Sequence, residues 1–68
     1  MRLRQIFARN LRQFRTARGL SQEALSHAAG LDRTYISSIE RERYSVSLDT
    51  LEKIAAVLEV EPHKLIEH

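Results

Sequence analysis

Apolar residues recur at Leu3, Phe7, Leu11 and Phe14, spacings of four, four and three that draw one stripe on a helix over residues 2–18. Gly19 follows as a natural C-terminal stop. Ser21 then stands as an N-cap for a second helix from Gln22 to about Ala29, with Ala24, Leu25, Ala28 and Ala29 inward or close-packed. Gly30 ends it after about two turns. Asp32 caps a third helix from Arg33 to about Arg41, with Ile36 and Ile39 on its buried face. Residues 42–47 carry no helical stripe and read as a loop. Ser47 caps a fourth helix, Leu48 to about Glu59, in which Leu51, Ile54, Ala55 and Leu58 follow the i, i+3, i+4, i+7 pattern of a core face. Pro62 suits the first turn of a short fifth helix that ends in Lys64-Leu65-Ile66. The pattern predicts an all-α fold of five short helices around one core.

Length sharpens this. A chain of 68 residues has room for one core, so residues 1–68 are expected to form a single domain. Such a chain buries only about 60% of its unfolded surface. It contains no cysteine to staple it. Cysteine-based zinc sites are excluded, and His27, His63 and His68 lie too far apart for a local metal motif. No metal or other cofactor is expected. No apolar run approaches the ~18 residues of a membrane span, and Met1-Arg2-Leu3-Arg4 lacks the apolar stretch of a secretory signal. A cytoplasmic chain without a membrane partner is the expectation.

Charge is segregated. All nine arginines precede residue 47 and face four acidic residues there, a net +5, whereas two lysines face five acidic residues from 47 onward, a net −3. An Arg-rich front suits a polyanion; a solvated surface of mixed charge is the competing reading.

The block Gln22–Arg41, QEALSHAAGLDRTYISSIER, carries the strongest signal. Two short helices are joined by Gly-Leu-Asp, with a small residue, Ser26, at the fifth position and Gly30 at the ninth. Those are the requirements of a helix-turn-helix, whose second helix enters a DNA major groove about 12 Å wide. From Asn10-Leu11-Arg12 through Arg18-Gly19-Leu20-Ser21-Gln22 to Glu61-Pro62, the chain resembles the helix-turn-helix domains of phage repressor and Cro proteins. Asp32-Arg33-Thr34-Tyr35-Ile36-Ser37 followed by Ile39-Glu40-Arg41 looks most like the small controller proteins of restriction–modification systems.

The resemblance implies double-stranded DNA as partner and a homodimer acting as a sequence-specific transcriptional regulator on a pseudo-palindromic operator. RNA polymerase is a second partner if the regulator activates. Arg33, Thr34, Ser37 and Ser38 would read bases. Arg33 suits a guanine through O6 and N7, and an arginine near a helix N-terminus opposes the dipole, which disfavours a merely solvated role. Gln22, Tyr35, Arg41, Arg43 and Ser45 would meet phosphates, with a half-packed core aromatic as the competing reading of Tyr35. Arg15 would pair with Glu40 structurally. Val46, Val57, Leu65 and Ile66 are apolar residues left near the surface and would form the dimer interface. The family usually has Gly where Glu42 stands, so the exit from the third helix is expected to be longer or differently bent.

Two other classes remain. An antitoxin of the same fold would bind a toxin protein as well as DNA. An enzyme would need a nucleophile that the chain lacks, since its serines have cap or surface roles, and a bundle this small is expected to offer no pocket of the ~300 Å³ usual for ligands.

Overall fold

The computed structural model describes residues 2–68. Met1, the first residue of the expected domain, lies outside them. Four α-helices form: α1 (Leu3–Ala17), α2 (Gln22–Ala29), α3 (Arg33–Glu40) and α4 (Leu48–Leu58). The expected fifth helix is a 3-10 helix, Pro62–Ile66. Lys64 N–H donates to the Glu61 carbonyl three residues back at 2.9 Å, the tighter pattern common in short helical pieces. Among the described residues every regular element is helical.

The caps expected from sequence form. The Ser21 hydroxyl accepts from Ala24 N–H at 2.9 Å, Asp32 Oδ1 from Thr34 N–H at 2.7 Å, and the Ser47 hydroxyl from Thr50 N–H at 3.1 Å. Each satisfies an N–H that the first helical turn leaves without a partner. Gly30 takes φ +69° at the end of α2, and the chain closes there as Leu31 N–H donates to the Ser26 carbonyl at 2.8 Å.

Phe7 and Leu11 of α1, Leu25 of α2, Ile36 and Ile39 of α3, and Leu51, Ile54, Ala55 and Leu58 of α4 pack into one core. Full burial of a side chain such as Leu25 or Ile36 contributes about 1.5–3 kcal/mol. The α1 stripe differs at its ends. Leu3 is 64% exposed and Phe14 only partly buried, while Ile6 and Ala8 are buried. Leu3 opens the helix and lies at the edge of an open surface hollow, so its neighbours leave most of it exposed. In α2 only Leu25 and Ser26 are buried; Ala24 and Ala28 face solvent. An eight-residue helix turns only one narrow face to its neighbours.

Leu65 also corrects the sequence reading. Expected at a dimer surface, it is wholly buried in the chain's own core. The 3-10 helix is drawn down onto α1 by Asn10, itself buried. Its Nδ2 donates to the carbonyls of Leu65 at 3.1 Å and Glu67 at 2.8 Å, with Lys64 at 3.4 Å. That clamp seals Leu65 inward and leaves Ile66 41% exposed.

Candidate nucleic-acid interface

α2 and α3 meet through the turn Gly30-Leu31-Asp32. Leu25, Ile36 and Ile39 lock them together, so the opposite face of α3 is turned outward. Arg33 and Thr34 are exposed on it and Ser37 is half-buried. Ser38 is not on that surface. It is 7% exposed, while its backbone carbonyl accepts from Arg43 N–H at 2.9 Å where the chain leaves α3. A base-reading role for Ser38 is therefore set aside.

The returning segment carries Arg41, Arg43 and Ser45, all exposed. Tyr35 is half-buried, packs against the core, and stands with its ring centroid 6.2 Å from that of Tyr44 at a tilt of 48°. The exit from α3, expected to be longer or differently bent, is not longer. The helix stops at Glu40, and Glu42 adopts φ +64°, the left-handed turn that glycine makes at less cost.

One ionic cluster fixes α3 against α1 and α2. The expected Arg15–Glu40 pair is bidentate: Arg15 Nε donates to Oε2 at 2.7 Å and Nη2 to Oε1 at 3.0 Å. Arg15 Nη1 donates to the Leu20 carbonyl at 2.8 Å, tying the end of α1 to the same cluster. The Glu40 side chain is wholly buried and that of Arg15 is 12% exposed. Burial alone would push the Glu40 carboxyl up. The hydrogen bonds from Arg15 and Gln22, with the charges of Arg15 and Arg12, outweigh it and hold the carboxyl below its ordinary range. Gln22 reaches this cluster through its side chain, Nε2 donating to Oε1 at 3.1 Å, so the first residue of α2 is positioned by the last residue of α3.

Arg12 joins the cluster, with Nε 3.5 Å from Oε1. It was not legible in the sequence, because its partner is 28 residues away and no spacing rule links them.

Two surface clefts exist where no ligand-sized hollow was expected. One of about 310 Å³ is lined by Gln5, Ala8, Arg9, Arg12, Gln13, Glu40 and Glu42. The other, about 230 Å³, is apolar and lined by Leu3, Phe7, Tyr44, Val46, Leu48 and Ile66. Val46 and Ile66 are thus brought together, whereas Val57 packs partly against the core and does not line the groove. Leu48, 78% exposed, and Tyr44, 56% exposed, belong to this patch and were missed. Leu48 stands three residues before Leu51, in step with that helix's core face, yet as the first residue of α4 it stays exposed. Among the described residues no group of His, Asp and Glu is placed to hold a metal ion, and no helix is long and apolar enough to cross a membrane.

The chain is similar to a hypothetical transcription factor of Neisseria meningitidis, 47% identical over 64 residues. That alignment covers 94% of this chain but only 60% of the relative's length. The crystal structure of the Neisseria factor superposes with a TM-score of 0.94. The restriction-modification controller protein C.AhdI from Aeromonas hydrophila superposes at 0.88, with 45% identity over 91% of this chain and 94% of that one. SinR, a master regulator for biofilm formation crystallised in complex with DNA, superposes at 0.87, with 37% identity over 90% of this chain and 98% of that one. The family model described as helix-turn-helix matches residues 11–65, which takes in the whole α2–α3 pair and the core beneath it, and this chain belongs to that family.

Proposed function

We propose that this chain is a sequence-specific DNA-binding transcriptional regulator of the controller type. The observation that carries the reading is the outward face of α3. Arg33 and Thr34 stand exposed at its N-terminal end, and the helix beneath them is held rigidly by a core and a buried ion pair. A base-reading helix needs that rigidity, because hydrogen bonds to base edges tolerate little displacement. Likeness to C.AhdI and to SinR in its DNA complex supports the same reading. Arg33 would read a guanine, Thr34 and Ser37 would touch neighbouring base edges, and Gln22, Tyr35, Arg41, Arg43 and Ser45 would meet phosphates. Catalysis forms no part of this function.

The regulator acts as a homodimer, its apolar groove covered by a second copy. Leu3, Tyr44, Leu48 and Ile66 stand exposed around an apolar groove whose floor includes the half-buried Val46. Two α3 helices would then meet successive major grooves about 34 Å apart.

Selection from a random duplex library tests the function. One half-site, repeated as an inverted pair at one-turn spacing, is expected. Arg33→Ala is expected to lose preference at one or two base pairs, a loss of about 1–3 kcal/mol each, while salt-dependent binding to random duplex persists. An unchanged ratio of selected to random binding refutes base reading by Arg33. Sedimentation tests the dimer: a stable monomer at micromolar concentrations, identical to Leu48→Glu, refutes it.

A further inference from the structure

The Glu40 carboxylate gathers more donors than one ion pair needs. Arg15 occupies both of its oxygens and neutralises it. Gln22 Nε2 and Arg12 Nε then approach the same oxygen, Oε1, at 3.1 and 3.5 Å. They come from different helices, α2 and α1, yet are no farther apart than those two contacts laid end to end. Arg12 is the surplus cation of the cluster. Its side chain is 58% exposed against none for Glu40. A half-exposed pair of this length contributes little to stability, so Glu40 does not require it. Arg12 is nonetheless steadied, since Nη2 also reaches the Glu40 carbonyl at 3.4 Å. These contacts engage Nε and Nη2, and Nη1 carries further hydrogens suited to an anion.

We propose that Arg12 and Gln22 form a two-donor seat for a single DNA backbone phosphate, held in register by the buried Glu40. The inference rests on the DNA-binding reading above and adds α1 to the contact surface. Glu40 acts as a positioning residue: it orients the Gln22 amide and steadies the Arg12 guanidinium before DNA arrives, which lowers the ordering cost of binding. A phosphate with two free oxygens fits two donors converging from neighbouring helices, and the cluster's net positive charge draws it in.

The test is a salt titration of binding to the selected duplex. Arg12→Gln is expected to make the slope of log affinity against log salt shallower by about 0.9, the contribution of one phosphate. Arg12→Lys keeps the charge and is expected to keep the slope. Arg18→Gln also removes a positive charge, but one paired with Glu59 at 3.4 Å, and is expected to leave the slope unchanged. A wild-type slope in Arg12→Gln overturns the inference, as does an equal change in Arg18→Gln. Arg12→Met replaces Arg12→Gln if the latter melts early. An uncharged methylphosphonate moved linkage by linkage along the duplex gives a second readout. One linkage is expected to weaken the wild type while leaving Arg12→Gln and Gln22→Ala indifferent; no such shared linkage overturns the seat. A wild type that binds no duplex defeats the DNA-binding reading itself, whereas salt-dependent binding with a null result at Arg12 defeats only the seat.

Discussion

Replacing Arg15 by Met strands the Glu40 carboxylate. The variant loses both Arg15 contacts to that carboxylate and the bond to the Leu20 carbonyl, while the unbranched, shorter thioether keeps the packing of the arginine's inner methylenes. Removing one partner of a buried pair costs about 3–5 kcal/mol. Gln22 and Arg12 stay on Oε1, so the lower end, about 3 kcal/mol, is expected. A domain of this size is stable by roughly 3–10 kcal/mol in total, and the loss corresponds to a melting temperature lower by about 12–24 °C.

Urea unfolding followed by circular dichroism across a pH series gives the decisive reading. In the wild type the Glu40 carboxyl is held below its ordinary range. Its contribution is therefore complete above the unfolded value, about 4.3, and is lost only as the pH falls through the lower folded value. In the variant, burial acts without its main counterweight, so the folded value rises above the unfolded one. The penalty is then fully present at neutral pH and fades as acid protonates the stranded carboxyl. The two stability curves are expected to converge as the pH falls toward about 4.3. A gap below 1 kcal/mol at neutral pH, or one that does not narrow in acid, refutes the reasoning. Adding Glu40→Leu to Arg15→Met is expected to recover most of the loss.

Glu42→Gly relieves a left-handed residue, φ +64°. About 1–2 kcal/mol of backbone strain is partly offset by the greater freedom of glycine in the unfolded chain, so a gain of about 0.5–1 kcal/mol is expected in thermal melts; a loss contradicts the argument. Asn10→Ala removes the donor that reaches three carbonyls of the C-terminal turn. It is expected to cost about 2 kcal/mol and to release residues 62–67 to faster hydrogen exchange, and unaltered protection there counts against the clamp. Ser38→Ala, at a buried side chain, is expected to leave base preference untouched, in contrast to Arg33→Ala. A shifted preference in the selection experiment restores Ser38 to the reading face.

Local rules made most of the fold legible. Ser21, Asp32 and Ser47 cap as short polar side chains do, Gly30 turns where a missing side chain makes the turn cheap, and the repeat in α4 matches its buried face residue for residue. These signals act within a few residues, so composition and spacing carry them. What failed lay at element ends and on faces decided by distant chain. Leu3 continues the stripe but lines an open groove and stays exposed; Ser38 follows helical spacing with Thr34 but is buried; Leu65 reads as surface until Asn10, 55 residues away, pulls it inward.

The sequence by itself determined the four helices, the turn between α2 and α3, the helix-turn-helix membership and the separation of a basic front from an acidic back. The tertiary structure alone decided which donors share the Glu40 carboxylate, that a 3-10 turn closes the core, and that Leu3, Tyr44, Val46, Leu48 and Ile66 make one apolar groove. The division has a physical cause. Helical periodicity and capping are energies between near neighbours, whereas a buried charge and an exposed groove exist only once α1, α3 and the chain's last residues meet in space.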